Sequence, residues 1–201
     1  MPPTDNQSAR FERGFKTWAE NTALAVRTRL KLSNVDPLSC EQLAAHLDAH
    51  IWDLSEISEL PLESFNYLTK QGGEWSALTV TAAKTVIVLN PTHSSRRRSS
   101  SGMHELAHIL RGHEPARVTI TPGGLTLRDY NALQEAEADW LAGCLLLPRP
   151  ALEYCLKSGV SEHEVCNQYN VSSAMYNYRI RMTGVERQLS RHKQKVYIAN
   201  S

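Results

Sequence analysis

Apolar residues recur at helical spacing over residues 15–32, where Phe15, Trp18, Ala19, Leu24 and Ala25 predict a first helix. A second is predicted over 38–47, with Ser39 as N-cap and Cys40 and the leucines turned inward. The period then changes. Residues 75–80 and 85–90 are rich in β-branched side chains and read as two strands joined by 81–84. Helical spacing returns before Gly112, which suits the left-handed residue just past a helix end. Asn131 with Gln134 opens another helix, and Pro148 and Pro150 stop it. A short helix follows and ends at Gly159. Ser161 and Glu164 form a capping box, 169–172 a turn, and 173–182 a last helix ending near Gly184. The fold class is therefore α+β: a mainly helical domain with a small β-sheet and a C-terminal helix-turn-helix-like element. Residues 1–10 read as a flexible tail, 11–184 as one domain with the helical element at 158–184, and 185–201 as a basic tail.

Composition narrows the classes. The chain has 201 residues, 41% hydrophobic and 21% charged, with a net charge of +1. Such a balance fits a globular domain and predicts neither nucleic-acid nor membrane binding from global electrostatics. No apolar run approaches membrane-spanning length, and the first residues lack a signal peptide's apolar core. Cys40, Cys144, Cys155 and Cys166 are scattered and read as reduced thiols, which with the missing leader gives a cytoplasmic expectation.

The chemistry is concentrated in His104-Glu105-Leu106-Ala107-His108. Helical residues four apart share a face, so His104 and His108 can aim both imidazoles at one metal ion. Glu105 is then placed as general base toward a water on that ion. A catalytic zinc usually takes three protein ligands, so a third is sought downstream. His113 reads as a structural residue or a partner of a ligand, because Gly112 ends the helix before it. Glu135 shares a helical face with Ala138, Asp139 and Ala142 and is the better third ligand. Asp139 can accept a ring N–H from a ligand histidine and fix its tautomer. Glu137 lies about 200° round from Glu135, so both cannot face the metal; a solvated charge is its ordinary fate. His46 and His50, also four apart, have no base or third ligand and read as surface residues. Arg96-Arg97-Arg98 reads as a solvated helix start or loop in preference to a phosphate site.

These two motifs, His104-Glu-Leu-Ala-His108-Ile-Leu-Arg-Gly-His113 and Glu135-Ala-Glu-Ala-Asp139-Trp-Leu-Ala142 running to Leu-Leu-Leu-Pro148, resemble the ImmA/IrrE family of bacterial metallopeptidases. The resemblance extends from about Phe15 to Gly184. Asp139, Leu141 and Leu147 stand where the family pattern has Asn, Phe and Met. It implies a zinc endopeptidase with His104, His108 and Glu135 as ligands and Glu105 as base. It further implies a small sheet beside the metal helix whose edge strand pairs with an extended substrate. The implied substrate is a regulatory protein, typically a DNA-binding transcriptional repressor. One departure concerns residues 96–103, where three serines and Gly102 replace the usual apolar residues and weaken the first turns of the metal helix.

Two rival readings differ in kind. Arg179, Arg181, Arg187, Arg191, Lys193 and Lys195 make the C-terminal part basic, as a DNA-binding regulator with a non-catalytic metal site would need. The adopted reading is that these helices shape the peptidase groove. A scaffold that binds a repressor without cutting it is the second rival. The intact Glu105 argues against both. Zinc is the expected metal, although manganese or iron can occupy the same donor set. Tyr130 and His93 are candidates, by side-chain type alone, for a second group on the oxyanion.

Overall fold

The computed structural model describes residues 11–57, 62–69, 75–81, 84–113, 118–120, 126–128 and 131–191. Its main elements are α1 (Phe15–Arg29), α2 (Cys40–His46), β1 (Ala49–Asp53), a 3-10 turn (Leu54–Glu56), α3 (Leu62–Thr69), β2 (Ala77–Thr81) and β3 (Thr85–Leu89). They continue with α4 (Ser95–Arg111), β4 (Val118–Ile120), β5 (Thr126–Arg128), α5 (Ala132–Leu146), α6 (Arg149–Lys157), α7 (Glu162–Gln168) and α8 (Ser173–Thr183). The architecture is mainly helical α+β, as the sequence predicts.

The three-stranded sheet has the order β1-β3-β2, with β3 parallel to β1 and antiparallel to β2. Strand side chains alternate between faces. Thr79, Ile87 and Ile51 are in register across the sheet and share the face toward α4. Leu78 and Val80 point the other way and are exposed. The sequence pattern misses β1. It also places His50 at a helix surface or end, whereas His50 belongs to β1 and His46 closes α2.

Helices α4 and α5 pack against each other, and α1 packs on α5. Small side chains allow the approach: Ala107 and Ala138 are fully buried and Ala142 nearly so. The serine-rich start of α4 is less weak than its composition suggests. Ser94 caps it by accepting from the Arg97 N–H. The three arginines then bond to three elements: Arg96 to Asn167 at the end of α7, Arg97 to Ser76 before β2, and Arg98 to Asp53 of β1. Gly102 has a steric reason. A Cβ there would lie 3.1 Å from Cys40 Sγ, so glycine lets α2 seat its thiol against α4.

The HTH-like pair is present as α7 and α8, with Arg181 exposed on α8 and Arg179 turned inward. Arg179 is fully buried, donating to the Leu147 carbonyl at 2.9 Å and to Glu20 of α1 at 2.6 Å. Beyond Gly184 the chain is helical again over 185–191, inside the stretch expected to be a tail. The cause is apolar: Val185 is fully buried and Leu189 packs on the core. Lys193 and Lys195 lie outside the described residues.

Candidate metal centre

Helix α4 presents His104 and His108 one turn apart, with ring centroids 4.7 Å apart. Their Nε2 atoms are separated by 3.0 Å. Helix α5, whose first N–H groups are capped by Asn131, brings Glu135 to the same point. Glu135 Oε2 lies 3.2 Å from His104 Nε2, and Oε1 lies 3.8 Å from His108 Nε2. One donor atom from each of the three residues falls within a 4.8 Å cluster.

The donor set fits a metal. Two nitrogens held tetrahedrally at about 2.0–2.1 Å from zinc lie roughly 3.3 Å apart. The observed spacing between the imidazoles is close to that, and a carboxylate completes the familiar His₂Glu set. Three protein donors also leave a fourth tetrahedral position for water or substrate.

Hydrogen bonds set the imidazole faces. Asp139 Oδ1 lies 2.8 Å from His104 Nδ1. An ionised carboxylate can only accept, so Asp139 holds a ring proton on Nδ1 and leaves Nε2 as the nitrogen available to a metal. The two histidines are held differently. Burial pushes His104 down, but the hydrogen bond and charge of Asp139, with Glu105 and Glu135, outweigh it and leave its pKa above the ordinary value. His108 falls below the ordinary value, through burial first and then the neighbouring His104.

Glu105 is held from the sheet. Thr79 Oγ1 of β2 donates to Glu105 Oε2 at 2.5 Å. That contact joins the edge strand to the expected base, and sequence periodicity alone could not have found it.

Glu137 departs from expectation. Its helical phase does turn it away from the cluster, but it is not solvated: the residue is only 4% exposed. Its Oε2 accepts from Arg111 Nε at 2.8 Å and lies 3.1 Å from His113 Nε2. His113 Nδ1 in turn lies 2.9 Å from His108 Nδ1. Burial alone would raise the Glu137 pKa, but the hydrogen bonds from Arg111 and His113 bring it below the usual carboxylate value. His113 thus touches a cluster histidine without joining the cluster.

A family model described as the IrrE N-terminal-like domain, Peptidase_M78, matches residues 61–181. The chain belongs to this family. The match contains α4, α5 and every residue of the candidate centre, while α1, α2 and β1 lie before it. No curated protein and no solved structure gave a match. Membership of Peptidase_M78 makes this a peptidase-family domain with a cluster able to hold a metal ion. Among the described residues no helix is long and apolar enough to cross a membrane.

The two oxyanion candidates fare differently. Tyr130 lies outside the described residues. His93 precedes the N-cap of α4, so His104 is roughly 15 Å further along the helix by the 1.5 Å rise per residue. His93 is not brought to the cluster.

Proposed function

We propose that this M78-family chain is a zinc-dependent endopeptidase of the cytoplasm that cleaves a regulatory protein, most simply a DNA-binding transcriptional repressor. The observation carrying the reading is the convergence of His104, His108 and Glu135 with Glu105 one residue along the same helix. His104, His108 and Glu135 would hold the ion. A bound zinc supplies Lewis acidity, bringing a coordinated water's pKa to about 7 and polarising the scissile carbonyl.

The chain's own residues supply the rest. Glu105 takes a proton from the attacking water and returns it to the leaving amine. The Thr79 hydroxyl holds that carboxylate in one orientation before substrate arrives. β2 is an edge strand, and among the described residues nothing pairs with its outer side. An extended peptide adding to that edge would run past Thr79 and hence past the base. Direct DNA recognition is not proposed: Arg179, one of the basic residues it would use, is withdrawn into the core.

The test uses zinc-loaded protein and a repressor encoded beside it. Wild type should yield two discrete fragments, resolved by mass spectrometry. Glu105→Gln should bind about one zinc per chain and leave the repressor intact. Equal cleavage by both proteins would overturn the role of Glu105. Displacement of uncut repressor by wild type would replace cleavage with binding.

A further inference from the structure

From the hydrogen-bond geometry we infer that Glu137, acting through His113, fixes His108 in the tautomer that leaves its Nε2 open to a metal. Glu137 and His113 are then positioning residues for the centre, although neither reaches it. The inference rests on the proposed metal role of His108.

Glu137 is ionised and can only accept, so the His113 proton facing it sits on Nε2. A metal on His108 Nε2 requires the His108 ring proton to sit on Nδ1. His113 Nδ1, 2.9 Å from that proton's nitrogen, then accepts, as it can with its own proton on Nε2 toward Glu137. With its proton on Nδ1, His108 presents a lone pair at Nε2, the atom 3.0 Å from His104 Nε2. Without the carboxylate, His113 is free to carry its proton on Nδ1. His108 would then hold its own proton on Nε2, where it would oppose a cation.

Two further contacts keep this chain of groups rigid. Gly112 adopts φ 71°, and its N–H bonds to the Ile109 carbonyl while the His113 N–H bonds to the His108 carbonyl. That helix stop folds His113 back over His108. Arg111, which shares Glu137 Oε2 with His113, lies 5.0 Å from the Trp18 ring centroid and 5.7 Å from that of Phe15. The outer end of the relay is thereby braced on α1, an element that precedes the family match.

Zinc alone is the probe, with affinity read by competition against a chromophoric chelator. Glu137→Leu removes the acceptor, and His113→Phe removes the middle ring at similar volume. Each should weaken zinc binding about 10–100-fold, as loss of an outer partner of a metal histidine does. Glu137→Gln keeps an acceptor oxygen for both donors and should recover most of the affinity. Proton–nitrogen correlation spectra of the metal-free proteins give the tautomer directly. His108 should carry its proton on Nδ1 in wild type and Glu137→Gln, and lose that preference in the other two. Circular dichroism identifies the variants that fold, and either folded variant suffices. Wild-type zinc affinity with an unchanged His108 tautomer in Glu137→Leu or His113→Phe would overturn the relay. Failure of wild type to bind zinc, or unchanged affinity in His108→Ala, would instead remove the metal centre and the relay with it.

Discussion

The two halves of α5 do opposite things with charge. In the first half, Glu135, Glu137 and Asp139 each send a carboxylate to an imidazole of the α4 side. In the second half, the residues from Trp140 through Leu147 are all buried and none is charged. The last carbonyls of a helix have no partner within it. Here α1 and α8 provide them: Arg27 donates to the Leu145 carbonyl at 2.8 Å and Arg179 to that of Leu147 at 2.9 Å. Burial lowers the Arg27 pKa to about 10, which still leaves it charged at neutral pH. Two cations at the negative end of the helix also complement its dipole. The comparison teaches a division of labour. Placing Glu135 within a few tenths of an ångström needs a helix that cannot slide, and the buried end supplies that immobility.

Substitutions at each end should therefore fail in different observables. The largest effect is expected at the polar end. Glu135→Ala removes a direct donor and should weaken zinc binding by orders of magnitude in chelator competition, while the metal-free melting temperature hardly moves. Zinc affinity unchanged in this variant would mean that α5 supplies no ligand.

At the buried end the observable should be stability. Arg179→Met removes the donor to the Leu147 carbonyl and to Glu20 Oε1 and should cost about 3 kcal/mol in urea unfolding of the metal-free protein. Zinc affinity of the fraction that remains folded should stay near wild type. A variant that unfolds normally but binds zinc weakly would erase the distinction between the halves.

Asp139→Ala sits between these extremes. The Asp139 side chain is 72% exposed, so its removal should leave stability alone. Zinc binding should fall about 10–100-fold because the His104 tautomer loses its anchor. Isothermal titration of the two carboxylate variants side by side would rank direct donor against outer partner.

The smallest effect is expected on α4, where close approach replaces charge. Gly102→Ala gains about 1 kcal/mol of helix propensity. The new Cβ meets Cys40 Sγ at 3.1 Å, however, so the net change in thermal unfolding should be near zero. In a Cys40→Ala background the same substitution should become stabilising. If it stays neutral there, the glycine answers to something other than α2.

Much of the centre was legible because its signals are local. The spacing of His104 and His108, the left-handed stop at Gly112 and the shared face of Glu135 and Asp139 all lie within one or two helical turns. What escaped depends on partners distant in sequence. β1 has five residues, two of them polar, and is a strand because it pairs with β3 far along the chain. Glu137, Arg27 and Arg179 are residue types whose ordinary place is the surface, and only the surrounding helices show that they are buried. The Thr79 hydroxyl could not be assigned because strand phase relative to α4 is a tertiary fact.

The stop at Gly112 has a consequence for how this locus tolerates insertions and deletions. Each residue added to a helix rotates everything after it by about 100°. An extra residue between His108 and Gly112 would leave the His-Glu-x-x-His letters untouched yet swing His113 off the back of His108. The indivisible sequence word is therefore His104 through His113, twice the length of the motif by which the site is recognised. Length changes should be tolerated on the far side of His113 long before they are tolerated within those ten positions.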